Sequence, residues 1–196
     1  FLHDALPIWA LRGLVTQLRR NEYLQGLFYD GLTDVESNHC GLVNYDRSPK
    51  HFGYGGFVPE MKVADLQAPA FVGHDLPPVL EVGLSRTLSI PVFVACGATG
   101  EKQFDLRWQV RGTDNLGREV ATPIRHREVI HRPMHVTFQD PLEVTLPISR
   151  PMVGAVAIEL YERGGGRVSA NYVNVVVPPR RTGSRRQEML APTLAL

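Results

Sequence analysis

The chain has 196 residues, 43% of them apolar and 21% charged, which suits one large or two small globular domains. A net charge of +1 argues against a nucleic-acid partner, since such proteins carry a clear basic excess. No apolar run reaches the roughly 18 residues that a membrane helix needs.

The N-terminal stretch Phe1–Ile8 starts without methionine, a basic leader or a long apolar segment, so it does not read as a signal peptide. Residues 8–20 predict a helix. Trp9, Leu11, Leu14, Val15 and Leu18 fall near one face, and Arg19 and Arg20 suit the negative end of the helix dipole. After a short loop at Asn21 and Glu22, residues 23–29 read as a strand that is apolar on both faces apart from Gln25. A parallel strand covered on both sides needs that pattern. Helix, short loop and buried strand form the repeat unit of an α/β sheet or barrel.

Beyond Tyr29 the chain turns polar, with Asp30, Asp34, Glu36, Asn38 and His39. The region past the C-terminal end of a parallel strand is where α/β proteins keep their chemistry. Residues 41–56 are rich in glycine and aromatics and read as the loop that closes this unit.

From about Met61 the period changes to two. Leu88, Ile90, Val92, Val94 and Cys96 share a strand face, and Pro91 places that strand at a sheet edge. Phe104, Leu106, Trp108 and Val110 alternate with polar residues, as in a half-buried antiparallel strand. Asp114–Gly117 is a turn. Further strands follow at Val144–Ile148 and Val156–Leu160, and Gly164, Gly165 and Gly166 turn a hairpin into Val168–Val177. The apolar phase slips there by one residue, which predicts a bulge near Tyr172. Some seven short strands with turns between them spell an antiparallel β-sandwich of immunoglobulin-like type. Pro178 and Pro179 end the last strand, and a basic, then apolar tail follows. The chain reads as a piece cut at both ends.

Two segments carry a resemblance. Gly26-Leu-Phe-Tyr-Asp-Gly-Leu-Thr-Asp-Val-Glu36 and Cys40-Gly-Leu-Val-Asn-Tyr-Asp-Arg-Ser-Pro-Lys50 resemble the end of the catalytic barrel in family 2 glycoside hydrolases. Gly41, Leu42, Asp46, Arg47, Pro49 and Lys50 match at the family's spacing. Cys40 stands where the family usually has asparagine, and Asp30 and Gly31 replace the commoner threonine and glutamine.

The resemblance implies a mainly β chain in which an immunoglobulin-like β-sandwich follows the last α/β element of a TIM barrel. The divisions are 1–56 for the barrel end, 57–178 for the sandwich and 179–196 for a tail or linker. It implies a parent enzyme that hydrolyses O-glycosidic bonds of β-linked sugars through a covalent glycosyl-enzyme. The two catalytic glutamates would lie on earlier barrel strands, so this chain carries no catalytic residue. Its partners would be a carbohydrate substrate and those missing strands; no cofactor and no metal is implied.

The resemblance places Tyr29 and Asp30 at the barrel mouth. There an aromatic can stack on a sugar ring, or pack into the core, and a carboxylate can bind hydroxyls. Asp34 and Glu36, two apart, would share a face if extended, and are expected to pair with Arg47 or loop amides. Asp46 and Arg47 are expected to hold the domain junction through a bidentate pair. His126, His131 and His135 do not recur at the two-residue interval of a strand face, so they suit no strand-borne metal site. The rival reading is a β-sandwich module that binds carbohydrate or protein through its loops. It is weakened because Phe104 and Trp108 fall on the inward face of their strand.

Overall fold

The structure is a computed structural model. It describes residues 2–24, 26–36, 38–50, 57–58, 61–77, 79–83, 87–147 and 150–179. The tail from 180 onward, the loop over 51–56 and Ile148 lie outside the described residues.

One helix, α1 (Leu2–Arg19), precedes nine strands among the described residues: β1 (Ala70–His74), β2 (Val79–Glu81), β3 (Thr87–Cys96), β4 (Lys102–Asp114), β5 (Glu119–Ala121), β6 (Arg125–His131), β7 (Val136–Thr145), β8 (Met152–Glu162) and β9 (Arg167–Val177). The protein is mainly β. One sheet has the order β1-β3-β7. The other runs β2-β9-β8-β4, and both β5 and β6 pair with β4 along different stretches. Neighbours are antiparallel except β2, which runs parallel to β9 through Val79↔Asn174 and Glu81↔Val176.

Alternation explains how the layers meet. Phe104, Leu106 and Val110 of β4 and Val156, Ile158 and Leu160 of β8 point inward. They bury against Val72 of β1, Ile90, Val92 and Val94 of β3, and Leu142 and Val144 of β7. Burying such side chains contributes roughly 1.5–3 kcal/mol each. Where β4 and β8 cross, two glycines face each other at Gly112↔Gly154. A Cβ on Gly154 would lie 2.3 Å from the Arg111 carbonyl oxygen, which is backbone and cannot step aside. Gly154→Ala is therefore expected to lower stability by about 1–3 kcal/mol, measurable by urea unfolding.

The strand over 88–96 corresponds to β3, but Pro91 does not mark an edge. β3 lies between β1 and β7. Pro91 is tolerated because β1 pairs only with residues 92–96 and the register with β7 shifts between Ile90 and Val92. No ladder partner needs the missing N–H at that point, and the Pro91 carbonyl accepts the Asp75 amide at 3.3 Å. No bulge occurs near Tyr172 either. The β8–β9 register runs unbroken from Leu160↔Ser169 to Met152↔Val177 and shifts only at the hairpin end. The change of apolar phase in β9 reflects burial on both faces. Val173 and Val175 enter the inter-sheet core, while Ala170 and Tyr172 enter a second cluster on the outer face.

That second cluster seats the N-terminal part of the chain. Val15 of α1, Val58, Met61 and Leu66 pack with Phe71, Phe93, Ala155, Ala157, Ala170 and Tyr172. A short 3₁₀ turn at Val63–Gln67 closes it, with Asp65 Oδ2 accepting the Lys62 amide at 2.6 Å. The buried stripe of α1 differs from the one its apolar residues predict. Leu14 is 56% exposed, whereas Arg12, Val15 and Thr16 are buried. Arg12 Nη1 donates to Asn171 Oδ1 at 3.0 Å and to the Tyr172 carbonyl at 2.5 Å, and its guanidinium stacks on the Tyr172 ring at 3.9 Å. Thr16 Oγ1 accepts from Asn171 Nδ2 at 3.2 Å. Hydrogen bonds from β9 thus let a polar stripe do the docking.

The expected strand over 23–29 is not formed among the described residues. Its backbone has no neighbouring strand to pair with. Tyr23 and Phe28 are exposed, Phe28 fully so, and only Leu27 and Tyr29 lean on the second cluster.

Candidate functional site

The segment from Tyr29 to Lys50 folds as a compact loop. Tyr29 is half-buried, and its hydroxyl accepts from Gln67 Nε2 at 2.6 Å. Burial raises its pKa above the usual phenol value, against the opposing pull of that hydrogen bond and of Arg19. Asp30 is exposed, and Gly31, at φ 91°, turns the chain where a side chain would be strained. Bridges join Thr33 to Val43 and Val43 to Pro49, and Val35 and Asn38 exchange both backbone bonds.

Asp34 is the hub. Its Oδ1 accepts from Lys50 Nζ at 2.7 Å and from the Gly41 amide at 2.8 Å, and its Oδ2 lies 3.7 Å from His39 Nδ1. Its own amide donates to the Val43 carbonyl at 3.1 Å. Lys50 is fully enclosed and also donates to the His39 carbonyl at 2.7 Å. Burial alone would push the Asp34 carboxyl up. The bonds from Lys50 and Gly41, with Lys50 and His39 charge nearby, outweigh it and hold the carboxyl below the usual range. Gly41 permits the closure, since a Cβ there would sit 2.4 Å from the Asp34 amide nitrogen.

The remaining expected site residues separate. Glu36 is exposed and makes no ion pair among the described residues. Asp46 and Arg47 do not pair. The Asp46 carboxylate turns back on its own loop and accepts from the Ser48 amide at 2.9 Å and Ser48 Oγ at 2.6 Å, which lowers its pKa. Arg47 is exposed, in the left-handed region at φ 64°. Asp34 does pair with a cation and a loop amide, but the cation is Lys50 rather than Arg47. Lys50 was legible only as the last residue of the Asp46-to-Lys50 match.

The three histidines are dispersed. His126 Nδ1 lies 3.3 Å from Asp105, His135 Nδ1 lies 3.2 Å from Glu22, and His131 is buried. Groups of three or more potential metal ligands do not occur among the described residues. The Glu22–His135 contact lines a cleft of about 300 Å³ between the end of α1, residues 21–27 and the ends of β3 and β7, with Arg19, Gln67 and Cys96 also on its wall.

Chemically, Asp34 is committed. A carboxylate already bonded to a buried ammonium and an amide is poorly placed to attack a sugar. Asp30 is exposed and the Tyr29 ring half-covered, and Glu36, Tyr45 and Arg47 of the same loop are exposed as well.

No protein-family model matches the chain, and no curated protein sequence does. Among solved structures, the chain is similar to the Pseudomonas fluorescens alkylpurine DNA glycosylase AlkC bound to DNA containing an abasic site analog. The identity is 11% and the TM-score 0.37, over 55% of this chain and 30% of that one. The match thus spans under a third of that protein's length, and a likeness so remote carries no argument about fold or activity.

Proposed function

We propose that the chain is the C-terminal part of a family 2 glycoside hydrolase that cleaves O-glycosidic bonds of β-linked sugars. The observation that carries this reading is the Asp34–Lys50 pair. It fastens the Thr33–Glu36 segment to the end of the Asp46–Lys50 segment, so the two stretches that resemble the family's barrel end form one folded unit. The unit would lie beside the last barrel strand, with Tyr29 and Asp30 toward the sugar. Asp34, Glu36, Asp46 and Arg47 would belong to the junction.

Two further features support it. Tyr23, Phe28, Leu32, Val35 and Tyr45 are all exposed on the N-terminal part. A surface so apolar suits contact with more protein, here the remaining strands of a barrel. The order β1-β3-β7 facing β9-β8-β4, with β2 parallel to β9, suits an immunoglobulin-like sandwich. On this reading residues 57–178 form that sandwich, residues 1–56 end the barrel, and the catalytic glutamates are supplied upstream.

The test is to express the longer gene product that contains this segment, beside the 196-residue chain, and to assay both against chromogenic β-glycosides. The longer product is expected to cleave one of them and the short chain none. A longer product inert on the whole panel would refute the proposal.

A further inference from the structure

A groove of about 230 Å³ opens at the sandwich edge away from α1, between β4 and β7. Trp108, Thr122, Pro123, Arg125, Glu143 and Thr145 line it. Thr122 is engaged, its Oγ1 accepting the Val110 amide at 3.0 Å, but three other polar groups of the lining have capacity to spare. The Trp108 indole nitrogen is buried without an acceptor, although such N–H groups normally find one. Arg125 makes no ion pair among the described residues. Glu143 Oε1 accepts from Ser89 Oγ at 2.8 Å, which leaves its second oxygen available. Donors and an acceptor therefore stand around one small space, and the charges of Arg125 and Glu143 offset each other.

The geometry points to a binding groove for an uncharged polyhydroxylated ligand, a saccharide unit. Hydroxyls both donate and accept, so one sugar can serve Arg125 and Glu143 together. An anion would meet Glu143, and a cation would meet Arg125. Trp108 and Pro123 supply the apolar wall on which a sugar's C–H face rests. The volume accommodates about one sugar ring. The groove uses only sandwich residues, so it stands apart from any barrel chemistry.

The test is a titration of the 196-residue chain with lactose, cellobiose and methyl β-mannoside, followed by the NMR signals of the two indole N–H groups, Trp9 and Trp108. With at least one sugar, the Trp108 signal is expected to shift and saturate while the Trp9 signal stays put. Arg125→Ala and Glu143→Gln are each expected to weaken binding about tenfold, and Trp108→Phe removes the signal and so assigns it. No saturable shift with any of the three sugars would overturn the inference. So would a shift shared by both indoles and unchanged in Arg125→Ala. A longer product that cleaves glycosides while this groove takes no sugar removes the groove alone. The reverse result removes the glycosidase reading alone.

Discussion

Replacing Lys50 with methionine is expected to release residues 33–50 from their folded form while leaving the two β-sheets intact. Met fills a similar volume, so the main change is the loss of the ammonium that Asp34 and the His39 carbonyl share. Removing one partner of a buried pair leaves an uncompensated charge, which costs about 3–5 kcal/mol in a deep interior. The loop lies at the surface and water can reach Asp34 once the loop loosens, so the expected cost is about 3 kcal/mol. Amide exchange reads it directly. Protection should fall at Gly41, bonded to Asp34 Oδ1, and at Val43, bonded to the Leu32 carbonyl. The β4–β8–β9 amides should keep theirs.

Acid should have the same effect. The Asp34 carboxyl is held below its ordinary value, so its contribution is complete above about pH 4 and is lost as pH falls through the depressed pKa. The double variant Asp34→Asn, Lys50→Met removes both charges and should recover about 1–2 kcal/mol relative to the sum of the single changes. Unchanged exchange at Gly41 in Lys50→Met would show that the pair does not hold the loop.

What the sequence made legible follows from how local each cause is. The alternation of Phe104 to Val110, the turn at Asp114–Gly117 and the glycine hairpin at 164–166 are written in neighbouring residues, and the structure has each of them. β6, Arg-His-Arg-Glu-Val-Ile-His, was not read as a strand. Only Val129 and His131 of it are buried, and its place is set by pairing with β4, a partner about twenty residues away. The docking face of α1 was misread for a related reason. Apolar periodicity selects Leu14, but the partner surface on β9 offers Asn171 and the Tyr172 carbonyl, and acceptors there make Arg12 the better fit. Gly26–Glu36 and Cys40–Lys50 stood out in the sequence only as two separate segments. The pairing that joins them was not legible, since choosing Lys50 over Arg47 as the partner of Asp34 depends on the left-handed turn at Arg47.

Lowering the pH from 6.5 toward 4 is expected to destabilise the protein through His74, where α1 meets β1 and β9. His74 is buried, and its Nδ1 accepts the Leu76 amide at 3.3 Å. The proton of the neutral ring therefore sits on Nε2, facing the Tyr172 carbonyl at 3.1 Å. Protonating Nδ1 would break the Leu76 bond and place a second cation beside Arg12, whose Nη1 is 3.4 Å from Nε2. Other groups give little relief. Asn171 and Thr16 are neutral, and Asp75 is engaged with Arg20 at 2.8 Å. Burial first and Arg12 second lower the His74 pKa to about 4, against the bond to Tyr172.

A native pKa below the unfolded one means that the unfolded chain takes up the proton first. Stability is thus complete above the unfolded value near 6.5, falls as pH drops, and levels off below about 4. That gap of about 2.5 pH units corresponds to about 3 kcal/mol, or roughly a 10 °C fall in Tm. Burial also lowers the His131 pKa, so the telling quantity is the difference between the wild type and His74→Gln. The variant cannot take up the proton and should lack this part of the slope while keeping the part due to His131. Parallel Tm–pH curves for the two proteins would show that His74 is not the group responsible. If the curves diverge, the seat of α1 on β1 and β9 weakens in acid.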